Sequence, residues 1–387
     1  MSPPTEPDLL RCALPAPDPD HVADLRKPFR WHAALEGLRL ARKKPKFAGP
    51  TLAKWFREQR SMGSRDRRVV QRAIYGIIRQ ELLFLRAGAR GDEDQLEHWC
   101  AVLEGERFAH LENGTPAEDF ATALSLGYRI ASEWLDALGP VEAARFAQLQ
   151  THRAPLMVRA NLLRCTRDEL QARLKEEGVE TTPCAIAAHG LELQERANVQ
   201  ALASFREGWM EVQDGSSQAF VDALPLAAGQ TAFDLCAGAG GKSLALAAQG
   251  LDVWANDIRP KALSELRRRA ERAGAGVTMG EPEDQVDIAI VDAPCSGTGR
   301  LRREPTLRWG LEQDSLLDVQ AELLSDAATW VRPGGHLAYA TCSLLAAEND
   351  PALPEEMAEW PLVEARMIWP QEHGTDGFGW RIWRCPE

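Results

Sequence analysis

A chain of 387 residues, 44% hydrophobic and 26% charged, is long enough for about two to three globular domains, and it has no apolar run near the roughly 20 residues that span a membrane. Eight cysteines without a C-x-x-C pair argue against a disulfide framework or a zinc site and for a reducing cytoplasm. The formal net charge of -12 argues against a nucleic-acid partner, but its distribution reverses that: residues 26–90 hold 18 Lys or Arg against 4 Asp or Glu, leaving 27 basic and 53 acidic residues elsewhere.

The N-terminal segment Met1-Ser-Pro-Pro-Thr-Glu-Pro-Asp has neither the basic nor the apolar region of a signal peptide. Residues 1–24 carry six prolines among scattered acids and read as a disordered extension. Residues 25–149 read as an all-helical domain, because Leu35, Leu38, Leu52, Trp55, Phe56, Val69, Val70, Ile74, Ile77 and Ile78 recur at spacings of three and four. Its basic surplus reads as the footprint of a polyanion. Residues 150–225 read as a small α/β domain, with a strand at 156–160, a helix opened by the capping box Thr166-Arg-Asp-Glu169, and a strand at 191–193.

From residue 226 onward strand and helix alternate, which implies a doubly wound α/β sheet covered by helices on both faces. Strands are expected at 231–235, 251–255, 286–291 and 337–340. A helix is expected over 314–330, stopped by Pro333-Gly334-Gly335, and a closing hairpin at 361–369 and 378–384.

The first of these strands runs into Asp234-Leu-Cys236-Ala237-Gly238-Ala239-Gly240-Gly241-Lys242, which then opens a helix. The glycines allow close backbone approach to a ligand. A P-loop is excluded because Cys236 stands where its first glycine belongs, and the dinucleotide fingerprint because Ser243 replaces its third. A nucleoside cofactor held through its ribose fits better. Asp257 ends the second strand 23 residues after Asp234, the usual place for a carboxylate accepting from ribose hydroxyls. The turn alone leaves a methyltransferase and another nucleotide binder both open.

Two cysteines close the next strands: Cys295 in Asp292-Ala-Pro294-Cys-Ser-Gly-Thr-Gly299, and Cys342 in Ala340-Thr-Cys-Ser343. A free cysteine is commonly a small buried hydrophobe, but two at neighbouring strand ends beside a cofactor turn point to covalent chemistry.

With these motifs the chain resembles the Sun/Nop family of RNA cytosine-C5 methyltransferases from about Ala154 to its C-terminus. The shared stretches include Glu211-Val-Gln-Asp-Gly-Ser-Ser-Gln218, the glycine turn, Arg302-Arg-Glu-Pro-Thr-Leu-Arg-Trp309, Gln320 and His373-Gly-Thr-Asp-Gly-Phe378. The helical module resembles the NusB-like domain of the ribosomal-RNA members through Gly63-Ser-Arg65-Asp-Arg67 and Tyr75-Gly-Ile-Ile-Arg79. The chain departs from the family pattern at Ala237-Gly-Ala239 and at Phe378-Gly-Trp380.

The resemblance implies a Rossmann-like S-adenosylmethionine-dependent methyltransferase domain at 226–387, preceded by the NusB-like and small α/β domains. It makes Cys342 the nucleophile and Cys295 the agent of release. Asp292 is then to hold the base and Lys242 to stabilise the thiolate or the base. The cofactor is assigned to Asp234, Cys236, Ala237, Gly238, Ala239, Gly240, Gly241, Lys242, Asp257, Arg259, Asp292 and Pro294, with Glu281, Glu283 and Asp284 competing for the adenine. RNA phosphates are expected on Arg300, Arg302, Arg303 and Arg308 of the loop after Cys295, and on Arg65, Arg67 and Arg68 of the helical module. The implied substrate is RNA, 16S rRNA ahead of tRNA, taken up by a cytoplasmic monomer with no metal and no membrane partner. A non-catalytic RNA-binding assembly factor is the reading from another class.

Overall fold

The computed structural model describes residues 6–195, 197–311 and 316–387, which form two units. In the first, the three-and-four spacing folds as α1 (Pro19–Leu25), α2 (Pro28–Lys43), α3 (Ala48–Glu58), α4 (Ser64–Arg79), α5 (Glu81–Arg86), α6 (Asp92–Glu104), α7 (Pro116–Leu124) and α8 (Tyr128–Gln150). Leu38, Leu52, Val70, Ile74, Ile77 and Leu96 are fully buried in one core. The opening of α4 is fixed by Asp66, whose carboxylate accepts from the Gly63 backbone N–H at 3.1 Å. At Gly139-Pro140 α8 is broken: Gly139 has φ 69°, and proline offers no N–H to the preceding turn.

The expected disordered extension is corrected. Leu9, Leu10, Ala13 and Leu14 are buried, Gln80 Nε2 donates to the Ala13 carbonyl at 2.6 Å, and Arg11 Nε donates to the Phe108 carbonyl at 3.2 Å. Burial of each leucine is worth roughly 1.5–3 kcal/mol, which outweighs the stiffness of the surrounding prolines. Residues 1–5, also assigned to that extension, lie outside the described residues. A segment beginning at Arg300 belongs to this helical unit too, although the sequence reading gave it to the catalytic domain.

The second unit begins at Ala154. It opens with β1 (Leu156–Ala160), α9 (Arg167–Glu176), β2 (Thr181–Pro183), β3 (Gly190–Leu193), α10 (Ala203–Arg206) and β4 (Met210–Val212). The strands form an antiparallel sheet in the order β2-β3-β1-β4. The expected capping box opens α9: Thr166 N–H donates to Glu169 at 2.8 Å and Glu169 N–H to Thr166 Oγ1 at 3.3 Å. The following helix, α11 (Gly215–Ala223), does not end a separate domain at 225. Its Phe220 is fully buried in one cluster with Leu246, Ile288, Phe378 and Ile382.

The catalytic sheet comprises β5 (Thr231–Asp234), β6 (Asp252–Ala255), β7 (Val277–Met279), β8 (Val286–Asp292), β9 (Val331–Thr341), β10 (Leu362–Ile368) and β11 (Phe378–Arg384), in the order β10-β11-β9-β8-β5-β6-β7. The five strands from β9 to β7 are parallel, and β11 and β10 close the other edge as an antiparallel hairpin. Helices α12 (Gly241–Ala248), α13 (Pro260–Ala273) and α14 (Leu317–Thr329), with the single turns α15 (Ala346–Asn349) and α16 (Pro370–His373), complete it. Alternation along β8 feeds two cores: Ile288 and Ile290 face the Phe220 side, while Ala289 and Val291 join Phe233, Leu324 and Tyr339 on the other.

Two boundaries differ from expectation. The helix placed at 314–330 ends at Thr329, and β9 runs through Pro333-Gly334-Gly335, which shift its register against β8 instead of ending the element. Residues 314 and 315 of that helix lie outside the described residues. The short strand β7 has no fully buried residue and therefore left no apolar run to read.

Candidate active site

Strand order reverses beside β5, so the carboxyl ends of β5, β8 and β9 open on one crevice. The glycine turn lies between β5 and α12. Gly238 and Gly240 have φ of 55° and 85°, and a Cβ at Gly240 would sit 1.9 Å from Leu266 Cδ1 on α13. Arg269 braces the turn from the same helix: one guanidinium nitrogen donates to the Ala239 carbonyl at 2.6 Å, while Nε donates to Glu211 at 3.0 Å. Ala237 N–H donates to the Asn256 carbonyl at 2.9 Å, joining the turn to the end of β6.

Asp234 is buried, and Ser243 Oγ donates to its Oδ2 at 2.7 Å. Its Oδ1 is buried without a partner among the described residues. Burial pushes its carboxyl up to about 6. At the end of β6, Asp257 accepts from Gly238 N–H at 2.8 Å and from Arg259 N–H and Nε at 2.8 and 2.9 Å. Burial would raise the Asp257 carboxyl, but the bonds from Arg259 and Gly238 outweigh it and hold the group below the usual range. Cys236 is pushed up to about 12, by burial first and then by Asp234 and Asp292, and is an unreactive thiol. Glu281, Glu283 and Asp284 are all exposed between β7 and β8.

The two thiols lie just beyond paired strand ends, since Asp292 of β8 is in register with Ala340 of β9. Cys295 Sγ and Cys342 Sγ are 3.5 Å apart. The hydrogen bond to Cys342, then burial, then the neighbouring charges push the Cys295 thiol well above its ordinary range. Gly299 N–H donates to the Cys342 carbonyl at 3.0 Å, and Gly377 N–H to the Gly299 carbonyl at 2.9 Å. A Cβ at Gly299 would meet that second backbone at 2.1 Å, so the approach requires glycine. Lys242 is buried with its Nζ 2.7 Å from Asp292 Oδ2, and 5.1 and 5.9 Å from the ring centres of Phe378 and Phe220. A buried ammonium requires such a partner, and the two rings shield the pair. Its charge is thus spent on Asp292. Pro294 is held through its carbonyl, which accepts from Gln320 Nε2 at 2.9 Å.

The arginines fare differently. Arg302 and Arg308 are 7% and 8% exposed. Arg302 donates to the carbonyls of His152 and Arg153 at 3.2 and 2.9 Å, and Arg308 to that of Leu124 at 2.8 Å. Burial lowers the Arg308 guanidinium to about 9. The assignment of these two to RNA phosphates is corrected: their donors fasten the loop to the helical unit. Arg67 likewise donates to the Met62 and Gln59 carbonyls, at 3.0 and 2.9 Å. Arg300 pairs with Glu304 and Arg65 with Asp24, whereas Arg303 and Arg68 are exposed.

Among the described residues no cluster of His, Cys, Asp and Glu suits a metal, and no helix is long and apolar enough to cross a membrane. The sequence reading missed Phe220, Ser296, Glu348 and Asn349 as parts of the site. Their only signal was proximity in sequence to the motifs: Ser296 and Glu348 meet across 52 positions, and the nearby partners of Asn349 are backbone carbonyls and a hydroxyl that no pattern marks.

Residues 221–365 match the family model described as 16S rRNA methyltransferase RsmB/F, and residues 130–200 that of the RsmF/B-like ferredoxin-like domain. The ribosomal RNA small subunit methyltransferase B of Vibrio cholerae is 32% identical over 268 residues, which are 63% of this chain and 62% of that protein. The match therefore spans less than two thirds of that relative. A methyltransferase homolog protein from Pyrococcus horikoshii shares the fold with a TM-score of 0.58 at 24% identity, over 70% of this chain and 100% of its own. NSun6 from Pyrococcus horikoshii, solved with SFG, does so with a TM-score of 0.56 at 16% identity, over 66% and 97%. Over residues 221–365 and 130–200 this chain is thus similar to the RsmB/F family of 16S rRNA methyltransferases.

Proposed function

We propose that this chain transfers a methyl group from S-adenosylmethionine to C5 of a cytosine in 16S rRNA, through a covalent bond between Cys342 and C6. The observation that carries the reading is the pair of thiols 3.5 Å apart at the ends of β8 and β9, beside a glycine turn built for a nucleoside. The names of the ribosomal-RNA relatives and the SFG bound to NSun6 support it. The residues fit the cofactor: left-handed Gly238 and Gly240 open the turn, Asp234 Oδ1 is buried without a partner among the described residues, and the Asp257 carboxylate borders the turn through the Gly238 N–H.

Held by these residues, the cofactor would supply an electrophilic methyl and leave as a neutral thioether, keeping the electron pair of the broken methyl–sulfur bond. C5 of cytosine is too weak a nucleophile to take it unaided. The Cys342 thiolate adds to C6, and the C5=C6 electron pair becomes available to the methyl. N3 takes a proton from water as the thiolate adds and returns it after release, and the Asp292 carboxylate, oriented by Lys242, accepts a hydrogen bond from that N3–H. The C5 proton then passes to water, the C5–H pair restores the double bond, and the C6–sulfur pair leaves with Cys342. Cys295, with its sulfur 3.5 Å from that of Cys342, hydrogen-bonds the departing sulfur. The base must be unstacked to reach the thiols. The basic surplus of residues 26–90, with Arg68 exposed on α4, supports a role for the helical unit in holding the RNA backbone.

Methylation of naked 16S rRNA, assembled small subunits and tRNA with labelled donor, followed by bisulfite sequencing, tests the substrate. One modified cytosine in 16S rRNA is expected. Label confined to tRNA would overturn the ribosomal assignment.

A further inference from the structure

The short turn α15 grips both cysteine-bearing loops. Glu348 is 5% exposed. Its Oε1 accepts from the Ser296 N–H at 2.9 Å and its Oε2 from Ser296 Oγ at 2.5 Å. Gln320 Nε2 lies 3.4 Å from the same Oε1 while donating to the Pro294 carbonyl. The residues on either side of Cys295 are thus tied to one carboxylate and one amide.

Asn349 does the same for the other thiol. Its Nδ2 donates to the Ser343 and Leu345 carbonyls, both at 2.9 Å, and its Oδ1 accepts from Thr341 Oγ1 at 2.9 Å. Thr341 and Ser343 flank Cys342. Tyr339 Oη donates to the Glu348 carbonyl at 2.8 Å and fixes the turn to β9. A carboxylate is costly to bury, and here the donors of the Cys295 loop offset that cost.

We propose that Glu348 is a positioning residue for the release half of the reaction, holding the Cys295 loop so that its thiol stays against Cys342. The proposal rests on the methyl-transfer reading above. Loss of the clamp lets Cys295 drift from the departing sulfur, so the methylated RNA remains attached to Cys342. Formation of the adduct, which needs Cys342, Asp292 and Lys242, is affected less.

The test quantifies denaturation-resistant protein–RNA adduct and free methylated RNA for the full chain and its variants. Glu348→Ala should accumulate about tenfold more adduct than the unsubstituted chain, with slower release, an effect of the size expected when a reacting group is misplaced. Glu348→Gln keeps an acceptor for the Ser296 N–H and should restore most of the release. Ser296→Ala, which removes a single side-chain bond, should lie between and decides the matter if Glu348→Ala fails to fold. Wild-type release by Glu348→Ala, or no rescue by Glu348→Gln, would overturn the clamp. A second readout needs no RNA: a trivalent arsenical bridges thiols held this close, and bridging should slow in Glu348→Ala but not in Glu348→Gln. If bridging follows that order while the unsubstituted chain methylates no RNA, the clamp stands and the methyl-transfer reading falls.

Discussion

Asp234 carries a liability that only a ligand would relieve. Its carboxyl is buried, pushed up to about 6, and left with one oxygen that has no partner among the described residues. The folded chain holds this proton more tightly than the unfolded chain does. The associated stability is therefore present in acid and lost as the pH rises through about 6. Asp234→Asn should raise the thermal midpoint at pH 7, by the equivalent of about 1–3 kcal/mol, and flatten the melting profile between pH 4 and 7. It should also weaken cofactor binding, as expected where stability is sacrificed at a site. A lower midpoint at pH 7 would contradict this view. The place of Asp234 at the end of a strand, before the glycine turn, was legible in the sequence. The Lys242–Asp292 pair was not, because 50 positions separate two residues that only the sheet brings to 2.7 Å.

At the scale of elements, local grammar was readable and remote pairing was not. The capping box at Thr166 and Glu169 is contained within four residues, and it forms as expected. The N-terminal segment was misread because its prolines are visible in sequence, whereas the carbonyl that Arg11 meets is 97 residues away and Leu10 shares a core reaching as far as Phe108. Arg302 and Arg308 were misread for the same reason: a charged loop looks solvated until the carbonyls it meets are known. Arg308→Ala should destabilise the helical unit by about 1–3 kcal/mol by stranding the Leu124 carbonyl, lowering its melting temperature without a matching change in the salt dependence of RNA binding. A change in salt slope with unchanged melting would return Arg308 to the RNA contacts. In the glycine turn, Gly240→Ala meets both a left-handed φ and Leu266. It should cost about 1–2 kcal/mol in stability and weaken cofactor binding, measured by calorimetric titration. Unchanged affinity would show that the turn does not cradle the cofactor.

For the whole molecule, the alternation of strand and helix announced the sheet, and the motifs announced which strand ends matter. The division of labour between the cysteines came from resemblance, since spacing alone does not distinguish an attacking thiol from a resolving one. The structure brings the two sulfurs to 3.5 Å, where either can donate to the other, and the contact with Cys342 and burial push the Cys295 thiol up. The most direct measurement incubates the full chain, Cys342→Ala and Cys295→Ala with methyl donor and 16S rRNA, then resolves methylated RNA and covalent protein–RNA adduct under denaturing conditions. Cys342→Ala should give neither product, and Cys295→Ala should accumulate adduct bearing the transferred methyl. Full methylation by Cys342→Ala would contradict the account.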